Sequence, residues 1–154
     1  MNPKSILLAA LLTFPLSVAS SADRGDILGQ KLVDQEMAKH PELALLSLHT
    51  IPPQASQSEI IASTKREKVG KKSDPDDLFV VKTGKPEIKD MPKRQIFDLL
   101  FPLRDEKGKI IGTVVMEVNY SAEMTRKGAL KTGGLVAKEI RKQVPSKEQL
   151  FERD

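Results

Sequence analysis

Few residues in this chain are equipped for chemistry. There are 2 histidines and 0 cysteines, which excludes thiol catalysis, cysteine-ligated zinc and attached c-type haem. His49 lies two residues after Ser47 in an apolar segment, LALLSLHTI. A serine and an imidazole are the residue types of a nucleophile and its base. Side chains two apart on a strand point the same way but seldom meet in hydrogen-bonding geometry, and no oxyanion-forming glycine motif adjoins them. The expectation is therefore a pocket-lining or ordinary polar role for both. Ser63 and Lys65 repeat the spacing on the next apolar segment and also share a face.

Asp98 is the most informative polar residue, because it interrupts an otherwise apolar run, QIFDLLFPL. A buried charge is normally paired, so the simpler expectation is an ion pair with a Lys or Arg on a neighbouring strand or loop. The functional alternative is an anchor for the ammonium group of an amino acid or amine. Arg94 stands just before this run and is placed to reach a pocket, whereas Arg104 reads as a turn residue. Lys65, Arg66, Lys68, Lys71 and Lys72 either border a site for an anionic ligand or form a solvated loop.

No metal site or cofactor is expected. His40 and His49 fall on different elements, with Pro41 between them and no recognisable ligand spacing. Asp74, Asp76 and Asp77 lack the glycine and terminal glutamate of a calcium loop and suit helix capping instead. Lys131-Thr132-Gly133-Gly134 is not a phosphate loop, since no strand feeds it.

The elements that position these residues follow from periodicity and punctuation. Ile27, Leu28, Leu32, Val33 and Met37 form one stripe of a helix over residues 26–39, with Asp23 and Asp26 near its start, and Pro41 ends it. Residues 43–51 and 59–65 read as strands of a loose hairpin. A second helix over 75–82 is started by Ser73-Asp74-Pro75 and stopped by Gly84, and should bury Leu78, Phe79 and Val81. Residues 86–94, bounded by Pro86 and Pro92, form an irregular connection or a short edge strand.

The organising feature is a long hairpin over 95–120, two strands (95–103 and 110–120) joined by the turn Arg104–Lys109, with Gly108 placed for positive φ. Both strands carry apolar residues on both faces, so the sheet should be covered on both sides. A final helical stripe of Met124, Leu130, Leu135, Val136, Ile140 and Val144 is interrupted by Gly133-Gly134, where a bend or loop is expected. The polar C-terminal tail, 146–154, is expected to dock through Leu150 and Phe151. Terminal helices would cover one face of a four- or five-stranded antiparallel sheet, and the short helix with its basic loop the other.

The first 22 residues stand apart. A basic start (Lys4), a short apolar run interrupted by Pro15 and then small residues give the layout of a secretory signal peptide. The run is shorter than the ~20 residues of a membrane-spanning helix. No second apolar segment follows, so the mature product is expected to be free of membrane spans and periplasmic or secreted. Loss of Lys4 takes the formal charge of +4 to about +3. Interspersed acids, 1 Tyr and 0 Trp argue against nucleic acid as a partner.

Residues 60–86 (IIASTKREKVGKKSDPDDLFVVKTGKP) and 98–118 (DLLFPLRDEKGKIIGTVVMEV) together resemble an extracytoplasmic PAS-like sensor domain of the Cache type. The ordered features are Val69-Gly70-Lys71 in a loop, Thr83-Gly84 at a helix end, Pro102 late in a strand, Asp105 and Gly108 in a turn, and Ile111-Gly112 opening the last strand. The resemblance implies a sheet of about five antiparallel strands behind a long N-terminal helix. It also implies a pocket for a small metabolite (an organic acid, amino acid or amine) between the sheet and the loop-helix segment. Two departures matter. No second span or output segment is recognisable beside the domain, so a free-standing version is expected. The Arg-x-x-His arrangement of dicarboxylate- and citrate-binding members is missing at residues 60–64, and Asp98 stands near their second basic position.

The combined expectation is an α+β PAS-like domain over residues 23–145, without enzymatic activity. Asp98, His49, Ser63, Lys65 and Arg94 are its candidate ligand-binding residues. An interaction module of the same fold, with a partner protein and no ligand, is the alternative.

Overall fold

The computed structural model describes residues 26–153; the expected signal peptide over 1–22 lies outside them. Five strands, β1 (Leu43–Thr50), β2 (Glu59–Ser63), β3 (Glu87–Met91), β4 (Ile96–Arg104) and β5 (Ile110–Asn119), make one antiparallel sheet in the order β2-β1-β5-β4-β3. The helices are α1 (Leu28–Lys39), α2 (Pro75–Thr83) and α3 (Arg126–Arg141). The fold is thus α+β, with five antiparallel strands, an N-terminal helix and a C-terminal helix. The segment between the two prolines is the edge strand β3. Its charged residues and Pro92 discourage further pairing.

The hairpin at the centre turns where the sequence places it. Gly108 takes φ 86°, which costs glycine no Cβ clash. The carboxylate of Asp105 accepts the Lys109 N–H at 2.9 Å. Register then sorts the side chains. Phe97, Leu99 and Phe101 of β4 stand opposite Val118, Met116 and Val114 of β5, and Met116 and Val114 in turn face Leu46 and Leu48 of β1. Directly opposite residues share a face. This apolar face meets Leu32 and Val33 of α1 and Ala129, Val136 and Ile140 of α3 in the main core.

Two local expectations are corrected. Gly133-Gly134 does not bend the last helix; α3 runs through it unbroken. A Cβ on Gly133 would lie 2.6 Å from Phe101 Cε2 and 3.0 Å from Leu99 Cδ1, so the missing side chain lets the helix close on β4. The second correction concerns α2. Leu78 and Phe79 are 50% and 48% exposed, while Val80 is fully buried and Asp77 nearly so. The phase of this short helix is set by its capping box, in which the Asp74 N–H donates to the Asp77 carboxylate at 2.8 Å. With Asp77 turned inward, Val80 three residues on shares its face and Leu78 does not.

The C-terminal segment is built into the fold. A 3-10 turn at Glu148–Phe151 buries Leu150 completely. The Leu28 N–H donates to the Glu152 carbonyl at 2.9 Å, and Ile27 pairs with Arg153 in an isolated bridge. No helix among the described residues is long and apolar enough to cross a membrane.

Candidate functional site

The face of the sheet opposite the main core mixes apolar residues such as Leu45 and Leu100 with a set of polar ones, and packs against α2. β1 contributes Ser47 and His49, whose cross-strand neighbours are Ser63 of β2 and Thr113 of β5 respectively. The Ser47–His49 pair, expected not to meet, does meet: Ser47 Oγ lies 3.1 Å from His49 Nε2. The other ring nitrogen, Nδ1, lies 3.0 Å from Asp77 Oδ2. A shift in the β1–β2 register between Leu48 and His49 departs from flat-strand geometry at this point, and such an irregularity re-aims side chains.

The order hydroxyl–imidazole–carboxylate is that of a serine hydrolase, but the setting differs. Ser47 is only 3% exposed, and its hydroxyl does not open onto the groove described below. Asp77 also caps α2, and its backbone carbonyl accepts the Thr113 hydroxyl at 2.9 Å. These bonds fasten the start of α2 to β1 and β5.

Asp98 lies farther along the same face, between Lys89 of β3 and Glu117 of β5. The expected ion pair is not formed. Arg94 bonds Glu117 Oε1 at 2.7 Å, and Lys89 reaches up to Asp76 of α2. Among the described residues no basic nitrogen stands within ion-pairing distance of the half-buried Asp98 carboxylate. Burial, then the nearby Glu117 charge, raise its pKa above the ordinary 3.8, against weaker opposing pulls from Lys89 and Arg94.

Ser63 is fully buried, and its Oγ accepts the Lys65 N–H at 3.1 Å. The backbone of Ser63 is held by Gln30 of α1, whose side chain accepts from its N–H at 3.0 Å and donates to its carbonyl at 3.1 Å. In the basic loop, Arg66 forks between Asp26 and Asp34 at 2.8 and 2.7 Å, and Lys72 pairs with Glu59 at 3.3 Å.

The candidates therefore form two groups rather than one pocket. His49 and Ser63 gather around Ser47, with Lys65 beside them. Asp98 and Arg94 gather around Glu117. Sequence reasoning missed Asp77 as the third member of the histidine chain, because its capping role already accounted for it. It also missed Glu117, although a lone acid in VVMEVNY is the same signal that Asp98 gives.

None of the five lines the groove beside α2. That opening, about 500 Å³, lies beside α2 at the turn end of the hairpin. Its apolar wall is Ile51, Leu78, Val81, Ile110 and Ile111, and its charged groups are Lys107, Lys109 and Lys147 with Asp105 and Glu148. The hydrophobic residues Ile51 and Leu78 are exposed there.

No family model and no curated protein matches this chain. Solved structures with similar coordinates include a type II free methionine-R-sulfoxide reductase from Thermoplasma acidophilum, 13% identical, with a TM-score of 0.45 over 74% of this chain and 89% of that one. A far-red cyanobacteriochrome photoreceptor is also 13% identical, with a TM-score of 0.42 over 73% of this chain and 81% of that one.

Proposed function

We propose that this chain is a non-enzymatic, extracytoplasmic, sensor-type domain that binds a small organic acid in the groove beside α2. The observation that carries the reading is the groove itself: about 500 Å³, with an apolar wall and three lysines that outnumber its two acids, Asp105 and Glu148. Small-molecule sites commonly occupy ~300–1,000 Å³ and combine an apolar lining with a few polar groups. The apolar wall would take the ligand's carbon skeleton, and the lysines its carboxylate. The leader-like sequence over 1–22 supports export. In this reading Ser47, His49 and Asp77 hold α2 in place and transform nothing.

A second reading is an interaction module of the same fold that binds a partner protein and no ligand. It is favoured by Leu78 and Phe79, both half exposed on the outside of α2.

Thermal shift against organic acids, amino acids and amines distinguishes these. Organic acids should raise Tm, by an amount that grows with concentration over Kd, and Lys109→Glu should remove the effect. Stabilisation by amines that disappears in Asp98→Asn would move the site to the unpaired carboxylate. A flat response across the panel would sink ligand binding and leave the interaction module.

A further inference from the structure

On the far side of the molecule, where α1 and α3 approach each other, Glu36, His40 and Glu139 converge. One donor atom from each lies within 4.8 Å of the others. His40 Nε2 is 3.0 Å from Glu139 Oε2 and 3.6 Å from Glu36 Oε2. We propose that these three side chains form a binding site for a divalent transition-metal ion of the zinc type, with a fourth position open to water or a ligand.

The first support is the state of Glu36. Its side chain is completely buried, yet Oε2 has no hydrogen-bond partner. Its other oxygen, Oε1, is served by Lys39 at 2.8 Å and by Gln143 at 3.2 Å. The carboxylate is therefore held by one oxygen while the second is turned toward His40 and Glu139. A buried, unserved carboxylate oxygen is costly, and a cation removes that cost.

The second support is spacing. Metal–ligand bonds of about 2.0–2.2 Å in tetrahedral geometry place donor atoms roughly 3.3–3.6 Å apart. The two distances from His40 Nε2 span that value from a little below to its upper end. The third support lies behind the histidine. Glu42 Oε1 stands 3.4 Å from His40 Nδ1, so a carboxylate is near enough to accept a hydrogen bond from Nδ1–H and favour the tautomer whose Nε2 lone pair faces the site. A carboxylate behind a ligating imidazole is the usual means of orienting it. One imidazole nitrogen with two carboxylate oxygens suits zinc and its neighbours, whereas calcium and magnesium favour oxygen alone.

The site was readable in part from Glu36 and His40, four residues apart at the C-terminal end of α1, where His40 is the cap. The third member, Glu139, comes from the far end of the chain.

The full, untagged chain, stripped with chelator, tests the proposal. Zn2+ titrated by calorimetry should bind one equivalent, and Co2+ should give visible absorption bands at the same stoichiometry. Glu139→Gln, a change at a partly exposed position, should weaken zinc binding more than about tenfold, and Glu42→Gln about 10-fold or more through loss of histidine orientation. Circular dichroism confirms that each variant is folded; if one is not, the other carries the test. Absence of a stoichiometric zinc or cobalt complex overturns the proposal. So does binding that both folded variants leave unchanged, or binding of Mg2+ as tight as that of Zn2+.

Discussion

The imidazole of His49 and the carboxylate of Asp77 meet at 3.0 Å between β1 and the first turn of α2. The same oxygen of Asp77 accepts the Asp74 N–H, so one atom both caps the helix and ties it to the sheet. Asp77→Ala removes both bonds and leaves His49 short of a partner. A loss of about 2–3 kcal/mol is expected from a cap plus a buried hydrogen bond. Urea denaturation measures the loss. Hydrogen exchange should show α2 amides losing protection ahead of those of α3, and equal loss in both helices would count against a local fastening.

Ser47 completes a chain that looks hydrolytic and is closed to solvent. Activated esters incubated with the protein should release product no faster than buffer. A burst that Ser47→Ala abolishes would overturn the non-enzymatic reading, because only an acylated serine gives that result.

Two adjacent glycines in α3 should respond oppositely to the same change. A methyl group on Gly134 meets Phe101 at an ordinary 3.8 Å, and alanine there should add about 1 kcal/mol of stability through helix propensity. On Gly133 the methyl would sit 2.6 Å from the same ring, and overpacking of this kind costs about 1–3 kcal/mol. Thermal melts should therefore place Gly134→Ala above the parent and Gly133→Ala below it. If both melt higher, the close approach of α3 to β4 is wrong.

Asp98 gives a pH signature. Its carboxyl titrates above the ordinary 3.8, so the folded state holds this proton more tightly than the unfolded chain. Its contribution to stability is fully present below 3.8 and is lost as pH rises through the raised folded value. Asn, which stays neutral, should be more stable than Asp at pH 7, with the advantage shrinking to nothing in acid. Tm against pH for both proteins checks this. An Asp98→Asn variant less stable at neutral pH would mean that the charged form has a partner.

The framework was legible because its signals are local. Pro41, Pro86, Pro92 and Gly84 bound elements where their backbone limits require, and Gly108 occupies its turn. The inward face of α2 was not legible, since a nine-residue helix with apolar residues at 78, 79, 80 and 81 has no single stripe. Its phase depends on Asp77 meeting a histidine 28 positions earlier. The candidate site was split for the same reason. Residues two apart on one strand can be placed on a face from sequence, but the partners that consume Lys89 (Asp76 of α2) and Arg94 (Glu117 of β5) come from elements that only the tertiary fold brings together.

The bridge between Ile27 and Arg153 closes the described chain into a ring in all but one covalent link. A short glycine linker across that junction should be accepted, with new ends opened in the exposed loop between β1 and β2. The permuted molecule would keep every strand pairing, while its attachment points would move to the other side of β1. The same closure lets the domain be spliced whole into a host loop, so that any strain on the host would fall on a single seam.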